Sequence, residues 1–111
     1  MKNISFGDKV RVLRTDLTDQ RGLAGLNGVV YGVTTPSHSG VSVTGESSED
    51  RAINVYFAER KEGFWFSPRL LEFVDHVPGT EVSLKGIPKK WVRQVSGEWK
   101  EIDIPDENKS Q

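Results

Sequence analysis

The chain has 111 residues, a formal net charge of −1, 35% apolar and 28% charged residues, and no cysteine. That is enough for one compact domain with a lean core and too little for two large ones. The missing cysteines exclude disulfides, thiolate metal sites and cysteine nucleophiles and suggest a reducing cytoplasm; no apolar run nears the ~18–20 residues that cross a bilayer, and Met1–Phe6 has no apolar signal-peptide core.

Helical periodicity is almost missing, because Gly, Pro or β-rich clusters interrupt nearly every long window. Lys9–Arg14 reads as the first strand, entered through Phe6-Gly7-Asp8, with Val10 and Val12 on one face and Lys9 and Arg11 on the other. Thr15 to Gly28 reads as a wandering polar loop that ends in a tight Asn27-Gly28 turn. Val29–Thr34 is the second strand, with a bend or bulge expected at Gly32. Thr35–Gly40 breaks it, and Val41-Ser42-Val43 is either a short strand or the lip of a longer loop. Ala52–Phe57 is the clearest strand: Ile53, Val55 and Phe57 alternate with Asn54 and Tyr56. After a charged turn, Phe64-Trp65-Phe66 is extended, and Ser67–Leu71 reads as one helical turn capped by Ser67 with Pro68 in its first position. Glu72–Val74 extends again.

His76-Val77-Pro78-Gly79 marks the expected boundary, giving a barrel over 1–77, an extension over 78–104 and a disordered tail over 105–111. Val82–Leu84 reads as a possible short strand, and Lys90–Val95 with Trp99–Ile102 as a hairpin around Ser96-Gly97. A two-residue turn sets Arg93 opposite Lys100; a three-residue loop sets Val95 by Trp99 and Arg93 by Glu101, which the charges favour.

Many short antiparallel strands with one helical turn before the last describe an all-β fold, a small five-stranded partly open barrel plus a C-terminal β-hairpin, since closure removes exposed edges. The segments Gly7–Val12, Gly25–Val30, Asn54–Phe57 and Gly63–Pro68 leading into Leu70–Val74 resemble the Src-homology-three-like barrel superfold. Their order is similar to that of a small reaction-centre protein of photosystem I, the small chain of ferredoxin–thioredoxin reductase and the barrel of the nitrile hydratase β subunit. The resemblance covers residues 5–75 and implies a docking or accessory-subunit role. The proline-peptide binders match less well, because Thr15–Gly25 contains no aromatic residue.

Little in the chain suggests catalysis. Asp75 and His76 are adjacent on extended chain and point to opposite faces, and His38 lies in a Ser/Gly loop. Glu46, Glu49 and Asp50, like Asp16 and Asp19, lack the spacing of a calcium loop, and Gly22, Gly25 and Gly28 are not followed by a phosphate-binding Lys-Ser/Thr. No catalytic, metal or cofactor residue is therefore expected. Rings are the better candidates. Trp65 must point away from Phe64 and Phe66, and Tyr56 away from Ile53, Val55 and Phe57, so Tyr31, Tyr56 and Trp65, with Trp91 and Arg93, form the expected protein-contact set. The alternative is nucleic-acid binding by a segment of residues 85–100 with net charge +4: Lys85, Lys89, Lys90, Trp91, Arg93, Trp99 and Lys100. The acidic 101–111 segment (net −3) and a pI near 6.1 weigh against it, and a small enzyme is the third reading.

Overall fold

The computed structural model describes residues 4–45 and 50–105. The chain divides into two compact units, Met1–Asp75 and His76–Gln111. The expected carboxylates Glu46 and Glu49 and the tail from Asp106 onward lie outside the described residues.

The first unit contains β1 (Lys9–Val12), α1 (Asp16–Gln20), β2 (Asn27–Thr34), α2 (Pro36–Ser39), β3 (Val43–Thr44), β4 (Ala52–Phe57), β5 (Glu62–Phe66), a 3-10 turn (Pro68–Leu70) and β6 (Leu71–Asp75). Its strands form one sheet in the order β3-β5-β4-β2-β1-β6, antiparallel except for the β3–β5 pair, and the sheet curls into a half-barrel. The all-β barrel-like expectation therefore holds; Val43–Thr44 resolves as a strand and adds a sixth member.

Period-two alternation decides what the curl encloses. Val10, Val12, Val30, Ile53, Val55, Phe57 and Phe66 are each 1% exposed or less, and Ile4, Leu23, Leu70 and Leu71 complete the cluster. Phe57 is its aromatic centre, meeting Phe66 edge-on at 5.9 Å and Phe64 at 6.2 Å between ring centroids. The turn before β1 is held by the buried Asp8, whose carboxylate accepts from the Ser5 N–H at 2.8 Å. The Asp8 carbonyl in turn accepts from Val30 N–H at 2.9 Å, tying this turn to β2.

Three local expectations need correction. The stretch after β1 is not a wandering loop: Thr15 and Thr18 form a reciprocal capping box that starts α1, and the buried Thr18 hydroxyl donates to Leu13 C=O at 2.7 Å. Asn27-Gly28 is not a tight turn either, but the start of β2. Gly28 is there for closeness: a Cβ on it would lie 2.5 Å from Val55 Cγ1 and 2.8 Å from Tyr56 O. Ser67 occupies the cap position of the 3-10 turn, yet its side chain makes no cap bond, and its buried hydroxyl has no partner among the described residues.

The second unit is a three-stranded antiparallel meander, β7 (Glu81–Ser83), β8 (Lys89–Arg93) and β9 (Trp99–Asp103), so the expected hairpin gains a strand. Both considered hairpin registers are overturned. Arg93 pairs with Trp99, Val92 with Lys100 and Trp91 with Glu101. Gln94 N–H donates to Glu98 C=O at 2.8 Å and Gly97 N–H to Gln94 C=O at 2.9 Å, which leaves Val95-Ser96-Gly97 as the loop. Gly97 takes φ 92°, the left-handed position such a loop requires, and this local demand outweighs the weak cross-strand preference.

Phe57→Ala should cost about 3–5 kcal/mol in urea unfolding, and Gly28→Ala should also destabilise clearly by separating β2 from β4. Tyr56→Ala, one residue away on the opposite face, should cost no more than about 1.5 kcal/mol. Comparable losses at Phe57 and Tyr56 would contradict the assigned faces.

Candidate functional site

Because Ile53, Val55 and Phe57 face inward, β4 must present Asn54 and Tyr56 on the opposite face, and the register adds β5 to it: Asn54 lies opposite Trp65 and Tyr56 opposite Gly63. On the other side, Tyr56 lies opposite Val29, and the register then slips between Val30 and Gly32. That bulge leaves Tyr31 as the extra residue of β2. The Tyr31 ring stacks on Tyr56 with centroids 5.1 Å apart and planes 1° from parallel, and Tyr31 is 57% exposed. Trp65 is half-buried, and a Cβ on Gly32 would sit 3.7 Å from its Cη2, so the indole spans from β5 across β4 towards β2. Three of the expected contact residues, Tyr31, Tyr56 and Trp65, thus share one face.

Two depressions flank these rings. One, of about 200 Å3, is floored by Gly28, Val29 and Ala58 beside the two tyrosines, with Lys9 at its margin. The other, of about 250 Å3, lies where β3 meets β5, between Ser42–Thr44 and Gly63–Trp65, with Arg21 at its mouth. Neither Arg21 nor Lys9 carries a periodic or motif signal that would mark it as a site residue in the sequence; only the sheet order brings them to this face.

The remaining expected residues belong to the meander. Arg93 is 1% exposed, so it is not a surface contact, which corrects its place in both candidate sets. Its guanidinium lies 5.1 Å from the centre of the Trp99 ring, and its Nη2 is 3.1 Å from His76 Nδ1. A guanidinium can only donate, so His76 Nδ1 accepts and its proton sits on Nε2. The His76 ring also packs against the turn, where a Cβ on Gly97 would fall 2.7 Å from its Cε1. Trp91 is half-buried.

The register also determines what the lysines meet. Lys89 Nζ lies 3.1 Å from Glu101 Oε2 and 3.9 Å from Asp103 Oδ1, and Lys90 Nζ lies 2.8 Å from Glu81 Oε1. The hydrogen bond to Glu101, then its charge and that of Asp103, hold the Lys89 ammonium above the ordinary lysine range. Of the lysines in the nucleic-acid set, Lys85 and Lys100 are exposed and form no ion pair among the described residues. In the first unit, hydrogen bonds from the Ser37 hydroxyl and backbone N–H pull the Asp50 carboxyl below its usual range; the charge of His38 adds to this.

No group of His, Asp and Glu that could hold a metal ion occurs among the described residues, and no described helix is long and apolar enough to cross a membrane. No family model matches the chain, and no curated protein matches its sequence.

The Lys89 environment is directly measurable. A group whose folded-state pKa is raised contributes stability below its unfolded value and loses it as pH rises through the folded one. In Glu101→Gln, the Lys89 titration midpoint, followed by side-chain NMR, should therefore fall, and the variant should lose less stability than the parent on raising the pH through the lysine range. An unchanged midpoint would break the assigned β8–β9 pairing.

Proposed function

We propose that the chain is a non-catalytic protein-docking module, a minor subunit or accessory domain of a larger cytoplasmic assembly, and that its contact surface is the face carrying Tyr31, Tyr56 and Trp65. The observation that carries this reading is the stacked, exposed Tyr31–Tyr56 pair with a shallow apolar depression beside it. Rigid aromatic rings lose little conformational entropy on binding and dominate the energetics of many interfaces. The same face on a fully solvated protein would have little reason to gather rings, since exposed apolar residues are normally scattered.

The fold reading that accompanies this is Src-homology-three-like. It is supported by the order of short strands, the 3-10 turn between β5 and β6, and the return of β6 to pair with β1. The ion pairs of the meander weigh against the nucleic-acid reading. With Lys85 and Lys100 as the unpaired cations of that segment, single-stranded RNA would be held with a log–log salt slope of only about −1.4, at ~0.7 per phosphate neutralised.

A photo-crosslinking amino acid placed at Ala58, in the tyrosine-flanked depression, and a control at Lys85 test the proposal. Crosslinks at position 58 should join the chain to a protein that can then be purified and titrated. Tyr31→Ala and Tyr56→Ala should each weaken that complex at least tenfold, with circular dichroism unchanged, and raising salt from 50 to 300 mM should weaken it less than fivefold. Crosslinking to RNA with a slope of −3 or steeper, or a complex indifferent to both tyrosines, would overturn it.

A further inference from the structure

The β3–β5 ladder is incomplete. β5 runs from Glu62 to Phe66, but β3 pairs only with Trp65 and Phe66. Ser67 N–H donates to Thr44 C=O at 2.9 Å across the same edge. Backbone groups alternate sides along a strand, so Gly63 presents its N–H and C=O at this edge, two residues before Trp65. There β3 has already turned away, and the 250 Å3 cleft between Ser42–Val43 and Gly63–Trp65 opens in its place. Gly63 has no side chain to block approach, the Trp65 indole supplies an apolar wall, and the exposed Arg21 stands at the mouth without an ion-pair partner among the described residues.

We propose that an extended segment of a partner protein pairs with the uncovered β5 edge at Gly63, continuing the ladder that β3 begins, with a carboxylate side chain on Arg21 and an apolar side chain against Trp65. Unfilled strand edges are templates for such addition, in which main-chain bonds supply affinity and alternate side chains supply specificity. Charge selects the partner: an unpaired guanidinium favours an acidic residue, with planar two-point geometry open to it. The inference rests on the docking reading above and adds the mode and chemistry of the ligand.

The probe is a displayed library of random dodecapeptides selected on the full chain, followed by titration of the synthesised consensus peptide. The expected consensus places Asp or Glu near an apolar residue. Its binding should shift the amide signals of Val43, Gly63 and Trp65, weaken at least tenfold in Arg21→Ala and less in Arg21→Lys. N-methylation of alternate peptide amides should abolish it, whereas N-methylation of the intervening ones should not. Selection without acidic residues, indifference to N-methylation, equal competition by acetate, or self-association of the chain lost in Arg21→Glu would each overturn the proposal. If the natural complex depends on Tyr56 but not on Arg21, docking stands and strand addition falls.

Discussion

β4 is the strand on which the first unit depends, because it is hydrogen-bonded on both sides and its two faces cannot both be core. Ile53, Val55 and Phe57 fill the interior of the curl, and Phe57 alone touches two further rings. Burial of side chains of this size is worth roughly 1.5–3 kcal/mol each, far more than any cross-strand pair on the other face. The interior therefore sets the register. Asn54 and Tyr56 are turned outward as a consequence, and the rings of the neighbouring strands follow through the pairings Val29–Tyr56 and Asn54–Trp65.

Given that constraint, small residues decide what the outer face looks like. Gly28 lets β2 come close to Val55 and Phe57 where a Cβ would collide. Gly32 leaves room for the far edge of Trp65, and Gly63 stands opposite Tyr56 without covering it. The bulge at Tyr31 then supplies a ring that β2, in strict register, would have set opposite Asn54. A parallel tyrosine stack of this kind contributes about 0.5–1.5 kcal/mol, too little to explain the fold, so the arrangement is better understood as a surface feature than as a structural strut.

Much of this is legible in the residues. The alternation in Ala52–Phe57 marks its strand and its inner face, and the opposition of Trp65 to Phe64 and Phe66 places the indole outward. What escapes reading depends on interactions that a sequence pattern does not encode. The capping box at Thr15 uses Thr18 where Glu or Gln is the usual signature, so α1 looks like loop. Asn27-Gly28 carries a strong turn signal, but here tertiary packing against β4 uses the glycine for proximity instead. The aromatic positions of the site follow from local alternation, whereas Lys9 and Arg21 enter it through sheet order, a non-local property.

The meander shows how one step of register changes a functional reading. Counted as composition, residues 85–100 are a basic strip with two tryptophans. Moving the loop to Val95-Ser96-Gly97 sets Lys89 opposite Asp103 and next to Glu101, brings Lys90 to Glu81, and lays Arg93 beneath Trp99. Exposed ion pairs of this type add only about 0–1 kcal/mol of stability, yet each one occupies a cation that a phosphate would otherwise recruit. The charge that makes this segment look like a polyanion site is thus largely satisfied within the meander. The first unit shows the converse: its single arginine at the β5 cleft sits in a nearly neutral chain, and it matters because nothing among the described residues neutralises it. Net charge describes neither case; pairing does.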